Sequence, residues 1–229
     1  MNWLYPHKCV FCKEEIVEVE AECCEVCYNQ VEIINECHCP KCGKKREVIN
    51  ELCYDCQVKK HYFNYGRGMF VYNTTVKKSL FGLKFFKHTW IGYVFGKLLA
   101  EFYIEENFNK VDMVIPVPLH YYRYLERGYN QAEILTKEFS NVTKIPMELK
   151  VLKRFRKTAP QKNLTDRQRC VNTLEAFRVY NEKRIVGKRI LLIDDIYTTG
   201  STIDGCAKAL IEKGAKEIYF LTVAIGDGL

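Results

Sequence analysis

The sequence predicts an α/β fold, a mostly parallel sheet flanked by helices, preceded by a small module built around metal. Through residues 66–229, strand-like apolar runs alternate with helical patterns, the arrangement that yields parallel sheets. Ten of the twelve cysteines fall before residue 57. Charge changes along the chain as well: residues 1–65 hold 8 Lys/Arg and 11 Asp/Glu, and residues 66–229 hold 27 and 17. A net charge of +7 over 229 residues therefore combines an acidic head with a body at +10. The expected division is a metal module over 1–62 and an α/β domain over 63–229.

With 48% hydrophobic and 28% charged residues the chain is globular and long enough for one ordinary domain and a small module. No apolar run approaches the roughly 20 residues of a membrane-spanning helix. The opening Met1-Asn-Trp-Leu-Tyr-Pro-His-Lys-Cys9 has no signal-peptide apolar region. The expected location is cytoplasmic, where disulfides are rare, and twelve cysteines there point to metal.

The cysteines of the head form four Cys-x-x-Cys pairs: Cys9/Cys12, Cys24/Cys27, Cys39/Cys42 and Cys53/Cys56. Each pair can place two thiolates on one face of a tight turn, and two turns supply the four soft ligands of tetrahedral zinc. Two structural Zn2+ sites are expected. The simplest pairing joins Cys9 and Cys12 to Cys24 and Cys27, and Cys39 and Cys42 to Cys53 and Cys56. Gly43, after Cys42, allows the positive φ of such a turn. Thioredoxin-like redox chemistry is the competing reading, but no βαβ context surrounds the pairs. Cys23, Cys37 and His38 remain spare, and Cys23 could replace its neighbour Cys24. Few apolar residues separate the turns, so metal is expected to supply most of the folding energy here.

In the body, residues 69–73 read as a strand after Gly66 and Gly68. Residues 76–86 and 91–103 read as helices, with apolar faces at Val76, Leu80, Leu83 and at Ile91, Val94, Phe95, Leu98. Lys84-Phe-Phe-Lys-His88 interleaves aromatic and basic residues, which suits nucleic acid, although a core face with a solvated back is the commoner cause. Residues 111–118 read as a buried strand, and the Tyr- and Arg-rich stretch 119–127 as the loop that follows it. A loop there lies at the ligand-binding end of such a sheet, so Arg123 and Arg127 are candidates for a phosphate. A helix follows on Ala132, Leu135 and Phe139. Residues 147–152 read as a strand. It runs into a segment, 150–169, with eight basic residues and one acidic, expected to be a mobile loop over phosphates or a nucleic-acid backbone. Strands are expected at 176–179, 189–193 and 217–225.

The most informative stretch is Arg189-Ile-Leu-Leu-Ile-Asp-Asp-Ile-Tyr-Thr-Thr-Gly-Ser-Thr202. A buried strand ends in two carboxylates, Asp194 and Asp195, and leads through a hydroxyl-rich loop into a helix on Ile203, Ala207, Leu210 and Ile211. Backbone N–H groups and hydroxyls at a helix N-terminus bind phosphate, and carboxylates one step earlier accept from ribose hydroxyls. Neither G-x-G-x-x-G nor a P-loop is present.

That stretch, from Leu191 to Thr202, resembles the phosphoribosyl-pyrophosphate (PRPP) signature of type I phosphoribosyltransferases. Together with the four cysteine pairs, Pro116-Val-Pro-Leu119, Glu126-Arg-Gly-Tyr-Asn-Gln131 and Arg156-Lys-Thr-Ala-Pro-Gln161, the whole chain resembles the ComF/ComFC competence family. The resemblance implies a double zinc ribbon joined to a type I phosphoribosyltransferase-like domain, handling single-stranded DNA in the cytoplasm during natural transformation, alongside other DNA-uptake proteins. It implies that Asp194 and Asp195 take ribose hydroxyls directly or with Mg2+, and that Tyr197, Thr198, Thr199, Gly200, Ser201, Thr202 and Arg127 line the PRPP site. Asp194 and Asp195 are the only catalytic candidates. Lys153, Arg154, Arg156 and Lys157 are the expected nucleic-acid contacts. Only four residues follow the last strand, so any hood over the acceptor is expected from the zinc module and residues 61–75. That arrangement favours DNA handling with retained PRPP binding over turnover. An active transferase and a PRPP-sensing regulator are the alternatives.

Overall fold

The computed structural model describes residues 7–16, 21–155 and 176–226. Two short antiparallel strands, β1 (His7–Lys8) and β2 (Glu15–Ile16), carry the first cysteine turn, and α1 (Glu25–Tyr28) and α2 (Tyr54–Val58) begin directly after Cys24 and Cys53. The body then runs β3 (Tyr65–Val71), α3 (Thr74–Phe85), α4 (Thr89–Glu105), β4 (Met113–Pro116), α5 (Tyr121–Arg127) and α6 (Gln131–Thr143). It continues through β5 (Leu152–Arg154), β6 (Phe177–Val179), β7 (Arg189–Tyr197), α7 (Ser201–Ile211) and β8 (Glu217–Ile225).

The main sheet has the order β3-β8-β7-β4, with every pair parallel. Burial on both faces explains the near-continuous apolar runs of β7 and β8. Alternate residues face two cores. Leu191, Ile193, Leu221 and Val223 pack with α3, α4 and α6, whereas Ile190, Leu192, Ile218 and Phe220 pack with α7. The expected parallel α/β sheet is thus present. Asn73 caps α3 by accepting from the N–H groups of Thr75 and Val76, and Asn130 caps α6 by accepting from Ala132 N–H. The feet of β4 and β7 are tied together: Asp112 accepts from Arg189 N–H at 2.8 Å and from its guanidinium at 3.0 Å. That guanidinium lowers the Asp112 carboxyl to about 2.

The cysteine module covers the open edge of β3. Ile34 N–H donates to Met69 O, Val71 N–H to Glu32 O and Gly66 N–H to Lys41 O, at 2.8–3.0 Å. Gly43 lies so close that a Cβ there would stand 2.8 Å from Gly66 O, and its φ is +73°. An exposed strand edge is thereby closed. The module straddles the sheet. Phe11, beside Cys12, packs its ring 5.7 Å from Phe70 and 5.9 Å from Phe95 on the α3–α4 side, while Cys39, Cys42 and Cys53 join Phe63 and Phe220 in the α7 core.

Several expectations are corrected. The 119–127 loop is largely the helix α5, ended by Gly128 at φ +86°. Of 147–152, only Met147 bridges the main sheet, pairing with Val114, and the strand begins at Leu152. The 176–179 strand does not join the main sheet. It pairs antiparallel with β5, so Lys153 and Arg154, expected in a mobile loop, lie on a strand. Arg156 and Lys157 lie outside the described residues.

Candidate functional site

A cavity of about 520 Å³ opens at the C-terminal ends of β4 and β7, where ligands bind in open α/β sheets. Its floor is Asp194, Asp195 and Thr202. The walls come from α3, which gives Lys84, Phe81 and Phe85, and from α5, which gives Arg123, Glu126 and Arg127. Arg154 reaches in from β5 and Tyr72 from the end of β3.

Asp194 and Asp195 are consecutive on a strand, so they face opposite sides of the sheet. Asp195 points towards α3 and is ion-paired with Lys84. Asp194 points towards α7, its Oδ1 accepting from Asp195 N–H at 2.9 Å. Burial, and next the charge of Asp195, holds the Asp194 carboxyl well above the usual carboxylate range. Burial likewise pushes up the Cys206 thiol of α7, with Asp194 adding to it. Arg127 donates to Gln131 Oε1 and lies 5.4 Å from the Phe85 ring centroid, bridging the two walls. Burial lowers its pKa, and the charge of Asp195 opposes that effect.

Beyond β7, Thr198 and Thr199 are exposed, Thr199 and Ser201 hydroxyls lie 3.1 Å apart, and Gly200 turns the chain at φ +77° into α7. This places hydroxyls and first-turn N–H groups where an anion is favoured. Of the expected contacts, Asp194, Asp195, Thr202 and Arg127 line the cavity, Thr198, Thr199, Gly200 and Ser201 stand outside its lining, and Tyr197 is turned away. Its ring is buried, stacked 4.7 Å from Phe220, and it does not line the cavity. Strict alternation would set it on the α3 side with Leu191, Ile193 and Asp195; the alternation breaks at the end of β7, where Ile196 packs on the α3 side and Tyr197 enters the α7 core. The cysteine module supplies none of the cavity lining among the described residues. Of residues 61–75, Tyr72 lines the cavity, and α3 after it forms the wall on that side.

The eight expected metal ligands gather as two clusters, Cys9/Cys12/Cys24/Cys27 and Cys39/Cys42/Cys53/Cys56, each with its four Sγ atoms within 4.8 Å of one another. Four thiolates about 2.3 Å from zinc stand about 3.8 Å apart along a tetrahedral edge. Cys12 and Cys24 Sγ are 3.8 Å apart, and Cys42 and Cys53 Sγ 3.5 Å. The donor sets fit tetrahedral zinc. Hydrogen bonds from the Cys42 and Cys56 thiols hold Cys39 far below an ordinary thiol, and the bond to Cys39 pushes Cys56 up. Four thiols within 4.8 Å of one another are an arrangement that a divalent cation relieves. Cys23, Cys37 and His38 stay outside both clusters, and His38 Nδ1 bonds Asn35 O instead.

Lys84, Phe81, Phe85 and Tyr72 are cavity residues that the sequence does not single out as such. Lys84-Phe85-Phe86 is the available signal, with its aromatic and basic interleaving, but nothing local says that α3 crosses the end of β7.

Known proteins share both parts of this arrangement. Residues 1–57 match the double zinc ribbon domain family, and residues 96–227 match the phosphoribosyl transferase domain family. Competence protein ComFC of Streptococcus pneumoniae is 34% identical over 197 residues, 85% of this chain and 84% of that protein. The chain belongs to the ComF/ComFC competence family. Competence protein F of Haemophilus influenzae is 26% identical across 95% of this chain and 96% of its own length. The DNA utilization protein YhgH of Salmonella typhimurium is 26% identical across 93% and 94%. The ComF-family chain thus combines a zinc ribbon with a type I phosphoribosyltransferase-like fold. Among the described residues no helix is long and apolar enough to cross a membrane.

Proposed function

We propose that this ComF-family protein handles single-stranded DNA in the cytoplasm during DNA uptake, and that its cavity holds PRPP or a related ribose 5-phosphate with Mg2+. The observation that carries the ligand reading is the convergence of Asp194, Asp195 and Thr202 with Lys84, Arg123 and Arg127 on one cavity. Two carboxylates suit ribose hydroxyls, directly or through a divalent cation. The cations and the hydroxyl loop suit the phosphates at either end of the sugar. The relatives' names, competence and DNA utilization, support the DNA reading, as does the body's charge of +10.

The proposed division is a double zinc-ribbon module over 1–62, carrying two zinc ions, and a phosphoribosyltransferase-like domain over 63–229. Other DNA-uptake proteins are proposed partners. An active transferase remains the second reading, favoured by the intact carboxylate pair, with a PRPP sensor as a third role for the same pocket. One experiment separates them: PRPP binding by calorimetry with and without Mg2+, and pyrophosphate release with and without single-stranded DNA. Mg2+-dependent binding without pyrophosphate release is the expected result. The absence of binding at millimolar PRPP would remove the ligand reading.

A further inference from the structure

We infer that single-stranded DNA is gripped at the mouth of the cavity by the outer face of α3, through Phe81, Phe85 and Phe86, with Arg123 and Arg127 of α5 opposite. The inference rests on the DNA-handling reading above and names its contact surface.

A helix packed on a sheet should be apolar on one face. The core face of α3 is complete without these rings, consisting of Val76, Ser79, Leu80, Gly82 and Leu83, all buried. Phe81, Phe85 and Phe86 are 48%, 56% and 63% exposed, which excludes the core role that such a pattern usually has. They form a cluster, with ring centroids 4.6 Å apart for Phe81 and Phe85 and 5.7 Å for Phe81 and Phe86. Three exposed adjoining aromatic rings are costly to leave in water and ask for an occupant.

Charge identifies that occupant. Lys84 lies on the same helix, and Arg127 stands 5.4 Å from the Phe85 ring centroid, bringing the cationic α5 alongside. Aromatic faces beside cations that follow a groove form the platform on which unpaired bases stack while their phosphates are neutralised. Duplex DNA keeps its base faces hidden, so the platform suits a single strand. A lipid surface would meet a flat or convex apolar face, whereas Phe81 and Phe85 also line the concave cavity. A bound strand therefore lies across the opening of the ligand pocket.

The test is titration of fluorescent oligo(dT) into full-length, zinc-loaded protein at several salt concentrations. Wild-type binding should weaken with salt. The Phe85→Ala/Phe86→Ala variant should bind about tenfold or more weakly with an unchanged salt slope, because the rings carry stacking and not charge. Arg123→Ala should reduce the slope. Phe86→Trp should keep the affinity, and the fluorescence of the introduced indole should be quenched when unlabelled oligo(dT) is added. Since all three side chains are exposed, zinc content and melting temperature serve as checks that the variants fold. Wild-type affinity in the double alanine variant, or indole fluorescence in the Phe86→Trp protein that DNA leaves unquenched, would overturn the surface while leaving DNA handling intact. Absence of wild-type binding at low salt would overturn both. Binding to phosphatidylglycerol vesicles that is lost in the double variant, with DNA binding kept, would reassign the face to membranes and overturn the inference.

Discussion

His61 and Asp204 are joined by a hydrogen bond, Nδ1 to Oδ2 at 2.7 Å, across 143 residues of chain. Tyr62 N–H donates to the other carboxylate oxygen at 3.0 Å. Asp204 stands in the first turn of α7, so the segment between the cysteine module and β3 is fastened to the helix that follows the hydroxyl loop. Aromatic packing reinforces the tie. His61 stacks 4.7 Å from Phe63, whose ring edge meets Tyr197 at 6.2 Å. A Cβ on Gly200 would stand 2.5 Å from the Tyr197 hydroxyl. The second cysteine cluster and the hydroxyl loop therefore share one set of supports.

Asp204→Ala leaves His61 Nδ1 and Tyr62 N–H without their acceptor. Each unsatisfied group costs about 1–3 kcal/mol, so a loss of about 2–4 kcal/mol is expected for this partly exposed pair. It should appear as a lower melting temperature. Asp204→Asn keeps one acceptor for Tyr62 and should recover part of the loss. PRPP affinity should follow the same order if the loop is held from beneath in this way.

The two cysteine clusters should behave differently when broken. Elemental analysis of the wild type should give two zinc per chain, and Cys12→Ser or Cys42→Ser should each lower that towards one. Cys42 is buried in the α7 core with Phe63 and Tyr197, so its loss should weaken PRPP binding as well as stability. Cys12 is exposed and belongs to the cluster on the α3–α4 side, so its variant should keep more of the ligand affinity. Equal loss of ligand affinity in the two variants would contradict the asymmetry.

Much of this arrangement is legible in the sequence because local chemistry determines it. Cys-x-x-Cys spacing dictates the two clusters, and burial on both faces makes β7 and β8 continuous apolar runs. The expected last strand and the observed Glu217–Ile225 agree residue for residue. Helix α5 is hidden because none of its residues is buried, so it has no apolar period for the sequence to display; the Gly128 stop is its only signal. The partners of β5 and β6 are hidden too, since three-residue strands that pair at a distance carry no register information. The Lys84–Asp195 pair and the Asp204–His61 bond join elements remote in sequence, and only packing reveals them. Tyr197 sits among ligand-loop residues in the sequence, and nothing local marks the break in strand alternation that carries it into the α7 core.

Asp194 should reveal its burial through pH. Its carboxyl is raised by burial and then by Asp195, so the folded state binds its proton more tightly than the unfolded chain does. That contribution to stability is complete below the ordinary carboxylate pKa of about 3.9 and is lost as pH rises through the raised value. Asp194→Asn removes the titration. The melting temperature of the variant should therefore exceed that of the wild type by a margin that grows with rising pH, while Mg2+-dependent PRPP binding falls. A constant margin would mean that Asp194 is not held protonated by its surroundings.

Lys84 is the test of how the cavity is kept in balance. Its ammonium is the counter-charge of Asp195, with side-chain exposures of 21% and 5%. Removing one partner of a buried pair costs about 3–5 kcal/mol because the other charge is left uncompensated. The partial exposure of Lys84 places Lys84→Met at about 3 kcal/mol or below. The double variant Lys84→Met/Asp195→Asn should regain most of that loss, giving a coupling energy measurable by urea unfolding of the four proteins in the cycle. PRPP affinity should not return in the double variant, since the carboxylate for ribose and the cation beside the phosphates are then both absent. Stability restored without affinity would show that the Lys84–Asp195 pair is kept for the ligand, while the buried face of α3, Val76, Leu80 and Leu83, is what holds that helix to the fold.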